Sequence, residues 1–116
     1  MKTMLELTTP FCTALAKRAA AIAYDTDVMG QPYCAYFKFP AEPAGTPCVV
    51  VEDEHACFVL FDSDATDAES NEEYNIHYPS TVLAFIADAK RTCTRFSISP
   101  ALIDALLAAY TEAFPK

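Results

Sequence analysis

The chain has 116 residues, with 16 acidic and 8 basic side chains and a net charge of −8; 53% of it is apolar and 21% charged. This composition argues against disorder of the whole chain, and its charge argues against direct binding to nucleic acid or to an anionic membrane, both of which would repel it. One globular domain over residues 1–116 is the size-based expectation, and with only two glycines there is no glycine-rich loop to wrap a phosphate.

Helix signals open the chain. Thr8 or Thr9 can cap a helix with Pro10 in its first turn, and Phe11, Leu15, Ala19 and Ile22 recur at helical spacing. The expected helix ends near Tyr24, before the turn residues Asp25-Thr26-Asp27 and Gly30-Gln31-Pro32. Lys2 and Ala14-Leu15-Ala16 have a superficial signal-peptide look, but Glu6, Thr8, Thr9 and Pro10 interrupt the apolar core such a peptide needs. No run reaches the ~18 apolar residues of a membrane-spanning helix.

Tyr33 to Phe39 reads as a strand, with Tyr33, Ala35, Phe37 and Phe39 on one face and Cys34, Tyr36 and Lys38 on the other. The proline-rich stretch from Pro40 to Pro47 reads as a loop. Two apolar arms follow, Cys48–Val51 and Ala56–Phe61, joined by Glu52-Asp53-Glu54-His55. A tight turn at Asp53-Glu54 would pair Val50 with Cys57, and arms apolar on both faces point to central strands. Tyr74 to Tyr78 alternates like a half-exposed strand, with Tyr74, Ile76 and Tyr78 on one face.

Ser80 is placed to cap a second helix lined inwardly by Val82, Phe85, Ile86 and Ala89. Thr94 to Ile98 reads as a short strand. Ser99-Pro100 starts a third helix, buried along Ile103, Leu106, Leu107, Tyr110 and Phe114. The expected fold is therefore α+β, in the order α-β-β-β-β-α-β-α: an antiparallel sheet of about four to five strands with helices packed on one face.

Charge is distributed unevenly. From Glu52 to Glu73 there are nine carboxylates and no Lys or Arg, and neither occurs anywhere between Lys38 and Lys90. The bases gather toward the two ends of the chain. The five cysteines, Cys12, Cys34, Cys48, Cys57 and Cys93, are odd in number, lack CxxC spacing and lie mostly in apolar runs, which implies buried, reduced thiols and a cytoplasmic protein.

The segment Phe58-Val59-Leu60-Phe61-Asp62-Ser63-Asp64-Ala65-Thr66 resembles the first motif of the haloacid-dehalogenase-type phosphotransferases. The resemblance covers about ten residues and implies Asp62 as the nucleophile and Asp64 as the acid/base, with the motif opening a βαβ unit. The motif sits mid-chain, and after Glu73 the acids Asp88, Asp104 and Glu112 are too widely spaced for that family's late Mg²⁺ pair. Asp62, Asp64, Thr66 and Glu73 also fall at calcium-loop ligand positions, but Asp67 stands where the sharp turn needs Gly. Neither His55 nor His77 has a Cys or His at metal-ligand spacing, so no cofactor or metal is expected.

What remains is a surface. Glu52, Asp53, Glu54, Asp62, Asp64, Asp67, Glu69, Glu72, Glu73 and Tyr74 are the expected partner-binding residues, because carboxylates pair with Arg and Tyr supplies rigid contact area. The chain is similar in general type, by size, charge and lack of catalytic motifs, to small acidic phage-encoded anti-defence proteins, including anti-CRISPR inhibitors and DNA mimics. The expected function is non-enzymatic inhibition by covering a basic, nucleic-acid-binding surface of a partner protein. The alternatives are an immunity protein or intracellular chaperone that sequesters a basic protein and, third, a small Asp-dependent phosphatase.

Overall fold

A computed structural model describes residues 9–40, 46–61 and 67–115, and for 67–69 the backbone alone. The elements follow in the order α1 (Pro10–Ala16), β1 (Ala21–Thr26), β2 (Pro32–Lys38), β3 (Thr46–Glu52), β4 (His55–Phe61), β5 (Asp67–Ser70), β6 (Tyr74–Asn75), α2 (Pro79–Arg95) and α3 (Ala101–Ala113). The sheet is antiparallel throughout the described residues, in the spatial order β1-β2-β3-β4-β5, with β6 sharing the β5 side of β4. The α+β architecture is as expected, and no helix among the described residues is long and apolar enough to cross a membrane.

Strand alternation builds the core. Ala35 and Phe37 of β2, Val49 and Val51 of β3, and Ala56, Phe58 and Leu60 of β4 point to one face, and all seven are buried. Against that face pack Phe11 and Leu15 of α1, Val82, Phe85, Ile86 and Ala89 of α2, and Leu102, Ile103, Leu106 and Ala109 of α3. The Phe11 and Phe85 rings meet edge to face, 6.2 Å between centroids. In the β3–β4 hairpin Val50 lies opposite Cys57, and Cys48 opposite Val59, so the two cysteines are offset. All five cysteines are free thiols.

Six expectations need correction. The first helix stops at Ala16, where the Arg18 and Ala19 amides close on the Leu15 carbonyl. Residues expected in its second half form β1, because Ile22 and its neighbours pair with β2 and that pairing outweighs an alanine-rich stretch's helical preference. β3 begins at Thr46, so Pro47 lies inside a strand. The strand expected over Tyr74 to Tyr78 shrinks to Tyr74–Asn75: the Asn75 side chain accepts the His77 amide, which bends the chain, and Tyr78 is exposed. Tyr78 rather than Ser80 is the N-cap of α2.

The fifth correction is the strand expected over Thr94 to Ile98. Helix α2 runs on to Arg95 and ends with Ser97 at φ 58°, where the Ile98 amide reaches the Cys93 carbonyl (2.8 Å) and the Ser97 amide the Thr94 carbonyl (3.4 Å). This is the Schellman arrangement with Ser in the position glycine prefers. The Ser99 hydroxyl then accepts the Ala101 amide to start α3. Leu107, expected to be buried, is 41% exposed, although Ile103 and Leu106 face inward.

Two stability changes follow. Replacing Phe58, fully buried at the sheet centre, by Ala costs ~3–5 kcal/mol, measured as a lower urea midpoint. Ser97→Gly relieves the left-handed backbone and raises stability by ~1 kcal/mol in the same titration.

Candidate functional site

The acidic positions converge because of how β4 is flanked. The β3–β4 turn holds Glu52 opposite His55, with Asp53 in the left-handed region at φ 54°. Asp and Asn tolerate that backbone better than most residues. Glu52, Asp53 and Glu54 are all exposed there.

After the residues that follow Phe61, the chain returns antiparallel along β4. Asp67 pairs with Phe61, Glu69 with Leu60 and Ser70 with Val59; then Asn75 pairs with His55 and Tyr74 with Ala56. The intervening Asn71-Glu72-Glu73 interrupts the ladder, with the Asn71 amide donating to the Phe58 carbonyl, 2.9 Å. The Ile76 amide then reaches the Glu54 carbonyl at the turn, 3.0 Å. One sheet edge therefore runs from Asp67 and Glu69 through Glu72 and Glu73 to Glu52, Asp53 and Glu54, along a seven-residue strand of about 20 Å.

Glu72 and Glu73 are exposed, and Glu54 lies 3.6 Å from the His77 imidazole. For Asp67 and Glu69 the backbone alone is described, and Asp62 and Asp64 lie outside the described residues. The strand that precedes Asp62 is flanked by antiparallel neighbours, unlike the βαβ setting the phosphotransferase motif implied. No group of three His, Cys, Asp or Glu side chains that could hold a metal ion occurs among the described residues.

Tyr74 plays a different part from the one expected of it. It is half-buried, packs edge-on against Phe85 (6.5 Å) and donates its hydroxyl to Asp88, which also pairs with Arg91. That network joins the sheet edge to α2 and floors a cleft of about 530 Å³. Thr92 donates to the Asn71 side-chain carbonyl there, 3.1 Å. The charges around the cleft cancel, Arg91 and Arg95 against Asp88 and Glu72, so it is not an anion trap and Glu72 adds least to the one-signed edge.

A separate ion-pair cluster joins the end of α1 to α3. Lys17 (2.6 Å) and Arg18 (3.1 Å) both hold Glu112 of α3, and these two cations keep its carboxyl below the usual range.

On the sheet face turned away from the helices, Asp25, Cys34, Glu52 and His55 form one row across β1 to β4. Tyr36 donates to Asp25 at 2.7 Å, a bond that raises its phenol well above the ordinary value. The thiols are the reverse of activated: burial pushes Cys48 and Cys93 up to about 11 and raises Cys34 as well. Nucleophilic thiols need the opposite shift. No protein-family model matches the chain, and neither a curated protein nor a solved structure matches it significantly.

The thiol shifts set a pH dependence. Cys48 and Cys93 stay protonated when folded but ionise near 9 when unfolded. The stability they contribute is complete below pH 9 and is lost as pH rises toward 11. Urea midpoints should fall over that window, and a Cys48→Ala/Cys93→Ala variant should lose less over it than the wild type does. Alkylation mapped by mass spectrometry at pH 8 should label the half-buried Cys57 before either of them.

Proposed function

We propose that this protein is a non-enzymatic binding protein that lays its acidic sheet edge on a basic, nucleic-acid-binding surface of a partner protein, in the manner of phage anti-defence inhibitors and DNA mimics. The observation that carries this reading is the convergence on one edge of acids that are spread over more than twenty residues of sequence. Seven carboxylate-bearing positions, Glu52, Asp53, Glu54, Asp67, Glu69, Glu72 and Glu73, lie along about 20 Å of β4. Acidic positions therefore stand at both ends of the strand and in the gap between β5 and β6, a run of negative charge of the kind a phosphate-binding surface attracts.

A groove evolved for phosphates meets charge of the same sign, and the field steers encounter before contact is made. Lys17 and Arg18, which could otherwise offset the edge, are held by Glu112 of α3. Five free thiols fit a reducing compartment, and the cytoplasm is the location this reading implies.

The test is displacement of labelled duplex DNA from a panel of basic nucleic-acid-binding proteins. Displacement from at least one member at low salt, weakening steeply as salt rises, is expected. The variant Glu52→Gln/Asp53→Asn/Glu54→Gln/Glu73→Gln should lose about tenfold or more in potency with an unchanged melting temperature. Failure to displace from any member, or equal potency of the neutralised variant, removes the reading.

A further inference from the structure

The β1–β2 hairpin carries two side chains that folding does not explain. Val28 is 101% exposed and Met29 79%, at the tip of a turn where polar residues are the rule. The turn is tightly built. One Asp27 carboxylate oxygen accepts the Met29 amide (2.8 Å) and the Gln31 amide (3.1 Å). The Asp27 amide donates to the Gln31 carbonyl and the Gly30 amide to the Asp27 carbonyl, each 3.0 Å, with Gly30 at φ 80°. Val28 and Met29 are therefore held outward by a backbone that is already ordered, and little further conformational entropy is lost when something covers them.

Register decides what surrounds this tip. Cys34 pairs with Asp25 on one side and Glu52 on the other, so the β1–β2 and β3–β4 turns lie at the same end of the sheet. β1 and β3 are separated by about 10 Å. Asp25, Glu52, Asp53 and Glu54 are thus exposed at the same end of the sheet as the two apolar side chains, with Tyr24 (48% exposed) and Tyr33 (38%) behind them on β1 and β2. Lys38, the one base on these strands, is at the far end of β2, about 14 Å along it from Cys34. An apolar point flanked by carboxylates repels a second copy of itself and repels anionic lipid. It complements an apolar recess ringed by Arg or Lys.

We infer that Val28 and Met29 are the apolar anchor of the partner contact, inserting into an aliphatic recess on a basic protein while the neighbouring carboxylates pair with the cations around it. This rests on the acidic-edge reading and adds its centre of affinity: desolvated apolar anchors hold a complex, and the charged rim governs encounter and selectivity.

The experiment selects phage-displayed random peptides on the wild-type protein and measures the enriched peptides against two variants. The expected peptides combine Arg or Lys with a large apolar residue. They should bind Val28→Ser/Met29→Ser about tenfold or more weakly, by faster dissociation. They should bind Glu52→Gln/Asp53→Asn/Glu54→Gln more weakly as well, with a flattened salt dependence. Both variants should melt as the wild type does, because the substituted side chains are exposed.

Equal binding by the Val28/Met29 variant, with loss in the neutralised one, overturns the anchor and leaves the acidic-edge reading standing. Peptides without basic residues, or full binding by the neutralised variant, overturn that reading and the anchor with it. Failure to enrich any peptide counts against the anchor.

Discussion

Seven consecutive pairs join β3 to β4, from Thr46 opposite Phe61 to Glu52 opposite His55, and every other element takes its position from them. A strand presents alternate residues to opposite faces, so a one-residue slip would turn Val49, Val51, Phe58 and Leu60 away from the helices. Their burial against α1, α2 and α3 is what forbids the slip. The same register holds Asp53 and Glu54 at the turn, aligns β2 so that Cys34 meets Glu52, and sets the line along which residues 67–75 return. The core and the acidic edge are thus consequences of one pairing.

The hairpin was legible in the sequence because its two arms are apolar on both faces and nothing nearby competes with them; the Val50–Cys57 pairing follows from the turn alone. The beginning of the chain was harder. Phe11, Leu15, Ala19 and Ile22 keep helical spacing, and all four do reach the core, but the last lies on a strand. Spacing does not reveal that β2 has an open edge for Ile22 to pair with. At the end of α2, the left-handed backbone of Ser97 has no compositional signal, since glycine is the residue that normally announces such a stop.

The candidate surface was half legible. The run of carboxylates between Glu52 and Glu73 is plain in the sequence, but its return along β4 is a long-range pairing that no local pattern encodes. Tyr74 has the look of a contact residue, yet its hydroxyl is held by Asp88 and its ring lies against Phe85. Val28 and Met29 lie between turn residues, where periodicity marks nothing. The available signal was chemical: two apolar side chains where Asp27 and Gly30 already satisfy the turn.

The interruption at Asn71-Glu72-Glu73 has a bearing on how this molecule behaves in a crowd. An unbroken, uncharged strand beside β4 would offer its free amides and carbonyls to any neighbouring chain and invite fibre-like stacking. Here β5 and β6 are four and two residues long, and the gap between them carries two exposed carboxylates. Like charge holds such borders apart. Charge and interruption together keep this border from becoming a template for another chain's strand.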